Sequence, residues 1–193
     1  MSLDQTSGAE TRVAGDSLPS HSKSDDGAMA TALRGMALGD AGDLDGAQAA
    51  FEEALASGDQ NALPFASWGL GKVLADRNQP EAAAAAYRRA MESGPPAVAG
   101  VAARDLGFLL KSSGDLEGAV VAYRRAVESN DPEAAPTAAN NLGNLLADLG
   151  DVPGAIVAYR YATKSNPGST DPRPSDVLRA RERLHRAGPR SER

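Results

Sequence analysis

His21 and His185 are the only imidazoles in the chain, and cysteine is absent. General acid–base catalysis or metal ligation needs such groups gathered at one point. Here one histidine lies in a polar Ser- and Asp-rich stretch near the start and the other in an arginine-rich segment near the end. The sequence therefore offers neither a catalytic triad nor a metal cluster, and without cysteine it excludes disulfides and thiolate zinc sites. Gly69 and Gly71 in "WGLGK" have the spacing of a phosphate-binding loop fragment, but they fall inside a helical pattern rather than after a strand. Glu52 and Glu53 read as acids on an exposed helix face. No catalytic residue, cofactor or metal is expected, and the chain reads as a non-enzyme.

What remains is the chemistry of recognition. The stretch "FASWGLGKVLADRN", residues 65–78, holds Trp68, the only tryptophan, with Phe65 and Lys72 close by. Aromatic side chains and cations are common anchors of protein interfaces. Whether these face a partner or a core depends on the elements that carry them.

Those elements are set by an internal repeat. Gly35, Gly71, Gly107 and Gly143 are spaced 36 residues apart, as are Phe51, Tyr87, Tyr123 and Tyr159. Two alanine series, Ala47/Ala83/Ala119/Ala155 and Ala54/Ala90/Ala126/Ala162, keep the same step. Within a unit, Leu106 and Leu110 surround Gly107 at helical spacing. Gly114 then ends one helix and Asp115 caps the next by accepting from its unpaired N–H groups. Asp43 and Asp151 repeat the device, whereas the second unit has Asn78, Gln79 and Pro80, the proline suiting a first helical turn. Ala119, Tyr123, Ala126 and Val127 then form one apolar stripe of a second helix.

This pattern resembles the tetratricopeptide repeat, with Leu106, Gly107, Ala119, Tyr123 and Ala126 at its signature positions and Pro95 and Pro167 closing two units. It is similar to 36-residue variants found in bacterial multi-repeat proteins, against a usual period of about 34. The resemblance implies an all-α, right-handed α-solenoid of four helix-turn-helix repeats, at 28–63, 64–99, 100–135 and 136–171. The extra length is expected between the second helix of one unit and the first of the next, as in "SNDPEAAPTAA". Residues 1–27 read as a disordered tail. Residues 172–193 read as a capping helix, with Val177, Ala180, Leu184 and Ala187 on one face, followed by a basic tail.

Taking Leu70 as zero and turning about 100° per residue puts Phe65, Trp68 and Lys72 at about 220°, 160° and 200°, opposite the leucine side. The same offsets select Val101, Arg104 and Phe108, then Thr137, Asn140 and Asn144. In proteins resembling this one, these positions line an inner groove that touches bound peptides. Lys111 and Asn141 lie beside them. The ten candidate contacts are thus Phe65, Trp68, Lys72, Val101, Arg104, Phe108, Lys111, Asn140, Asn141 and Asn144. Asparagine amides suit an extended peptide backbone, and the cations favour an acidic side chain or terminal carboxylate. A chaperone-tail carboxylate clamp is not expected, because Ala32 and Met36 stand where that clamp would have Lys and Asn. Ser67 occupies the family's usual tryptophan position, one residue before Trp68.

Composition agrees with this frame. Only 4% of residues are aromatic, so a core must come from helices meeting through small side chains, and alternating strand patterns are missing. The net charge of −6 argues against nucleic-acid binding as the main occupation. Arg88/Arg89 and Arg124/Arg125 share a register, but Glu92 and Glu128 follow Arg88 and Arg124 at helical pairing distance, so a salt-bridged exposed face is expected. No signal peptide or membrane-spanning run is read, which gives a cytoplasmic expectation. The partner expected is an extended segment of another protein. The alternative is self-assembly through repeat ends or groove aromatics, the chain itself being a monomer or weak homo-oligomer.

Overall fold

The computed structural model describes residues 23–165. It contains eight helices: α1 (Lys23–Asp40), α2 (Leu44–Ala56), α3 (Ala62–Asp76), α4 (Pro80–Ser93), α5 (Pro96–Ser112), α6 (Leu116–Glu128), α7 (Ala134–Asp148) and α8 (Val152–Ser165). Each helix packs on the next, and α1, α3, α5 and α7 also pack on one another in turn. The odd-numbered helices therefore form the closer layer, and the array curves into an α-solenoid with them on its inner side. Among the described residues there is no strand, and no helix is long and apolar enough to cross a membrane.

Two boundaries differ from expectation. Helix α1 begins at Lys23, inside the segment read as tail, and α7 opens at Ala134, so most of "SNDPEAAPTAA" is helix rather than connection. Pro64 and Pro136 sit in the first turns of α3 and α7, where a missing N–H leaves no helical bond unmade. The proposed cap at 172–193, with His185, and the stretch containing His21 lie outside the described residues.

The repeat period arises from close approach. A Cβ at Gly71, Gly107 or Gly143 would lie 2.6, 2.6 or 2.5 Å from the ring of Tyr87, Tyr123 or Tyr159. Phe51 likewise fills the space left by Gly35 and Gly69. Each aromatic thus takes the space that a side chain on the facing helix would need, and the two alanine series, all buried, let the paired helices close around it.

The turns between paired helices follow one design with one exception. Gly42, Gly114 and Gly150 adopt φ of +84°, +87° and +86°, and the next residue, Asp43, Asp115 or Asp151, accepts from the N–H of Gly46, Gly118 or Gly154 at 2.9, 2.8 and 2.9 Å. In the second pair Asn78 takes the left-handed position at φ +58°, and Gln79 caps nothing with its side chain. The ψ of Gln79, 69°, is close to the 79° and 77° of Asp43 and Asp115. The capping carboxylates each lie over a glycine, Gly46, Gly118 or Gly154, where a Cβ would come within 2.3 Å, and Ala82 holds that place here. Gln79→Asp should therefore stabilise the protein, by about 1 kcal/mol, only when Ala82→Gly accompanies it. Urea unfolding would show this as a higher midpoint with an unchanged slope.

Candidate functional site

Trp68 stands on the inner side of α3, half-buried, and its indole Nε1 donates to Asp105 Oδ2 on α5 at 2.8 Å. The other carboxylate oxygen, Oδ1, receives Arg104 Nε at 2.9 Å and a terminal guanidinium nitrogen at 2.8 Å. Lys72 Nζ lies 5.2 Å from the Trp68 ring centroid, one helical turn along, within cation–π range. One carboxylate thus ties a tryptophan to an arginine across two repeats. This fixes the indole plane and uses much of the Arg104 charge internally.

Two cavities open on either side of Trp68. The larger, about 550 Å³ between α3 and α5, is lined by Trp68, Lys72, Asp76, Tyr87, Arg104, Asp105 and Phe108 among others. The smaller, about 140 Å³ between α1 and α3, shares Trp68, Lys72 and Asp76 and adds Met36, Phe51 and Asp40. Phe108 is 65% exposed at the edge of the larger one, an unusual state for a phenylalanine.

Trp68, Lys72, Arg104 and Phe108 all line the larger cavity. Phe65, Val101 and Lys111 are half-buried and line neither cavity. Asn140 and Asn141 lie further along on α7, and the side-chain carbonyl of Asn144 accepts from Tyr159 O–H at 2.7 Å. Trp68 itself is neither a free groove residue nor a core one: it also packs on the cluster of Leu74, Tyr87 and Leu106. Ser67 takes the core place, 1% exposed, with no partner for its hydroxyl.

The acids were missed. Asp105 and Asp76 fall at about 260° and 240° on the helical wheel, just outside the sector taken as groove. Extending that sector by about 40° finds both, and with them the balance of Lys72 and Arg104 by two carboxylates. Among the described residues no group of His, Asp and Glu is placed to hold a metal ion.

Tyr87 forms part of the floor of the larger cavity. Burial, and then the carboxylates of Asp105 and Asp76, push its phenol well above the ordinary value, and burial and Asp105 raise Tyr123 too. A folded-state pKa above the unfolded one gives stability that is complete below about pH 10 and lost as pH rises toward the folded value. Stability is expected to decline above about pH 10, less steeply in Tyr87→Phe, as read by urea unfolding across alkaline buffers.

A family model described as tetratricopeptide repeat matches residues 33–98 and 104–170. No curated protein matches the chain. Among solved structures, the crystal structure of MamA protein superposes with a TM-score of 0.59 at 23% identity, covering 74% of each chain. YrrB, described as a TPR protein with an unusual peptide-binding site, gives 0.61 at 22% identity, covering 79% of this chain and 73% of that one. PilF of Pseudomonas aeruginosa gives 0.67 at 19% identity, covering 84% and 72%. At such identities these likenesses speak for the fold alone. The glycine–aromatic crossings, the 36-residue register and the match across both halves of the described array lead to one conclusion: the chain belongs to the tetratricopeptide repeat family.

Proposed function

We propose that this protein is a non-enzymatic interaction module that holds an extended segment of a partner protein on its concave face. The observation that carries the reading is the cavity between α3 and α5, walled by Trp68 and an exposed Phe108, with the indole held in place by Asp105. A rigid aromatic wall costs little conformational entropy when it receives a ligand. The partner's anchor is accordingly a bulky apolar side chain seated between Trp68 and Phe108. Asn140 and Asn141 offer amides to its backbone further along.

The electrostatic part of the expectation narrows. With Arg104 bound to Asp105 and Asp76 beside the same cavity, Lys72 is the cation left for an acidic group on the partner. The groove asks for one such group rather than for a strongly acidic partner. YrrB, a protein of the same fold described as having an unusual peptide-binding site, supports the general mode and not these residues.

The test is selection of displayed random peptides on the intact array, with a Lys72→Glu/Phe108→Ala variant as counter-selection. Peptides enriched for an apolar anchor beside an acid, and lost on the variant, are expected. Peptides that bind both forms equally would remove the groove from the account. The rival occupant, a second copy covering Phe108, would show as a concentration-dependent mass in the same samples.

A further inference from the structure

The convex side carries a second pattern that the groove does not explain. Arg88, Arg124 and Arg160 stand one repeat apart on α4, α6 and α8, with Arg89 and Arg125 beside the first two, and all five are exposed. The expected pairing with Glu92 and Glu128 is not made. The ion pairs among the described residues are Arg34–Glu53, Arg77–Asp45 and Arg104–Asp105. One turn before these arginines, Val121 and Val157 share a register and are 67% and 68% exposed. In the first repeat the arginine places hold Glu52 and Glu53, and Glu53 is paired with Arg34. The stripe is therefore confined to the last three helix pairs. It becomes wholly basic at α8, where Lys164 replaces the glutamate four residues on.

We propose that this stripe is a second docking surface, which takes an extended acidic segment of a partner protein carrying aliphatic side chains. The guanidinium forks match carboxylates, and the two valines give the aliphatic groups a place. The neighbours of the stripe select the ligand's width. Glu81 and Glu117 lie on one side of the arginines and Glu92 and Glu128 on the other, all exposed. A membrane surface or a nucleic-acid duplex would press its phosphates against these acids, in a chain already at −6. A narrow strand crossing the helices along the arginine row avoids them. A single nucleic-acid strand is also narrow, but it wants aromatic stacking platforms. The one aromatic at this register, Tyr161, has its hydroxyl on Asn130 Oδ1 at 3.0 Å.

The experiment uses the full chain and a short dye-labelled peptide of glutamates with two leucines, followed by anisotropy. Salt-sensitive binding is expected, weakened about ten-fold or more in Arg88→Glu/Arg124→Glu/Arg160→Glu and less in the Arg→Gln counterpart. Because such a peptide also offers the groove an apolar anchor beside an acid, the same titration is run in a Lys72→Glu/Phe108→Ala background, where salt-sensitive binding should persist and the arginine changes should still weaken it. The proposal is overturned if the peptide does not bind in that background, or if the arginine variants bind it equally there. It is also overturned if oligothymidylate or phosphatidylglycerol vesicles bind the arginine stripe more tightly than the peptide does.

Discussion

Tyr123→Ala is expected to cost about 3–5 kcal/mol, a large part of the stability of a domain of this size. Tyr123 is 1% exposed, and its ring lies against the backbone of Gly107. It also belongs to the core shared by the third and fourth helix pairs, with Leu142, Leu145 and Tyr159. A repeat array is held by each unit's own packing plus its contacts with neighbours. Removing this ring weakens both, so unfolding by urea should shift to a much lower midpoint and lose its single sharp transition. Tyr123→Phe keeps the ring and should stay near the parent. A cost below about 1 kcal/mol for the alanine variant would show that the aromatic–glycine crossing is not what holds the repeats together.

The second large effect concerns recognition. Trp68→Ala/Lys72→Glu/Phe108→Ala should weaken binding of groove-selected peptides at least about 100-fold, equivalent to about 2.7 kcal/mol. The three changes remove both aromatic walls and reverse the unspent cation, and hot-spot anchors of this kind dominate interface energetics. Trp68→Ala also leaves Asp105 without its indole donor and strips contacts from Leu74, Tyr87 and Leu106, so part of its effect is on stability. Lys72 and Phe108 are exposed, and their substitution should change stability by no more than about 0.5 kcal/mol. The Lys72→Glu/Phe108→Ala double variant therefore separates lost contacts from lost folding. Binding retained by that double variant, at parental stability, would contradict the assignment.

The fold was legible because its determinants are locked to the period. Wherever two helices cross, the same glycine must meet the same aromatic, and Gly71, Gly107 and Gly143 announce this through their spacing. The groove is different in kind. The bond that fixes Trp68 runs to Asp105, 37 residues away, one step off the 36-residue register. Comparing equivalent positions set Trp68 beside Arg104 and passed over the carboxylate that joins them. The convex arginines erred in the other direction. Their spacing from Glu92 and Glu128 permits pairing, but exposed ion pairs return little energy for ordering two long side chains, and in the structure they stay apart. Asn78 was readable as a turn residue, and its left-handed φ explains why glycine is dispensable there.

Trp68 makes occupation of the concave groove directly measurable. It is the only tryptophan, and it divides the two inner cavities. Titration of the intact protein with a groove-selected peptide lacking tryptophan should change its emission saturably, with a midpoint matching the affinity found by anisotropy. The midpoint should move to much higher concentration in the Lys72→Glu/Phe108→Ala variant. Tight binding by anisotropy with no change in Trp68 emission, and with equal affinity in that variant, would place the partner somewhere other than the concave face.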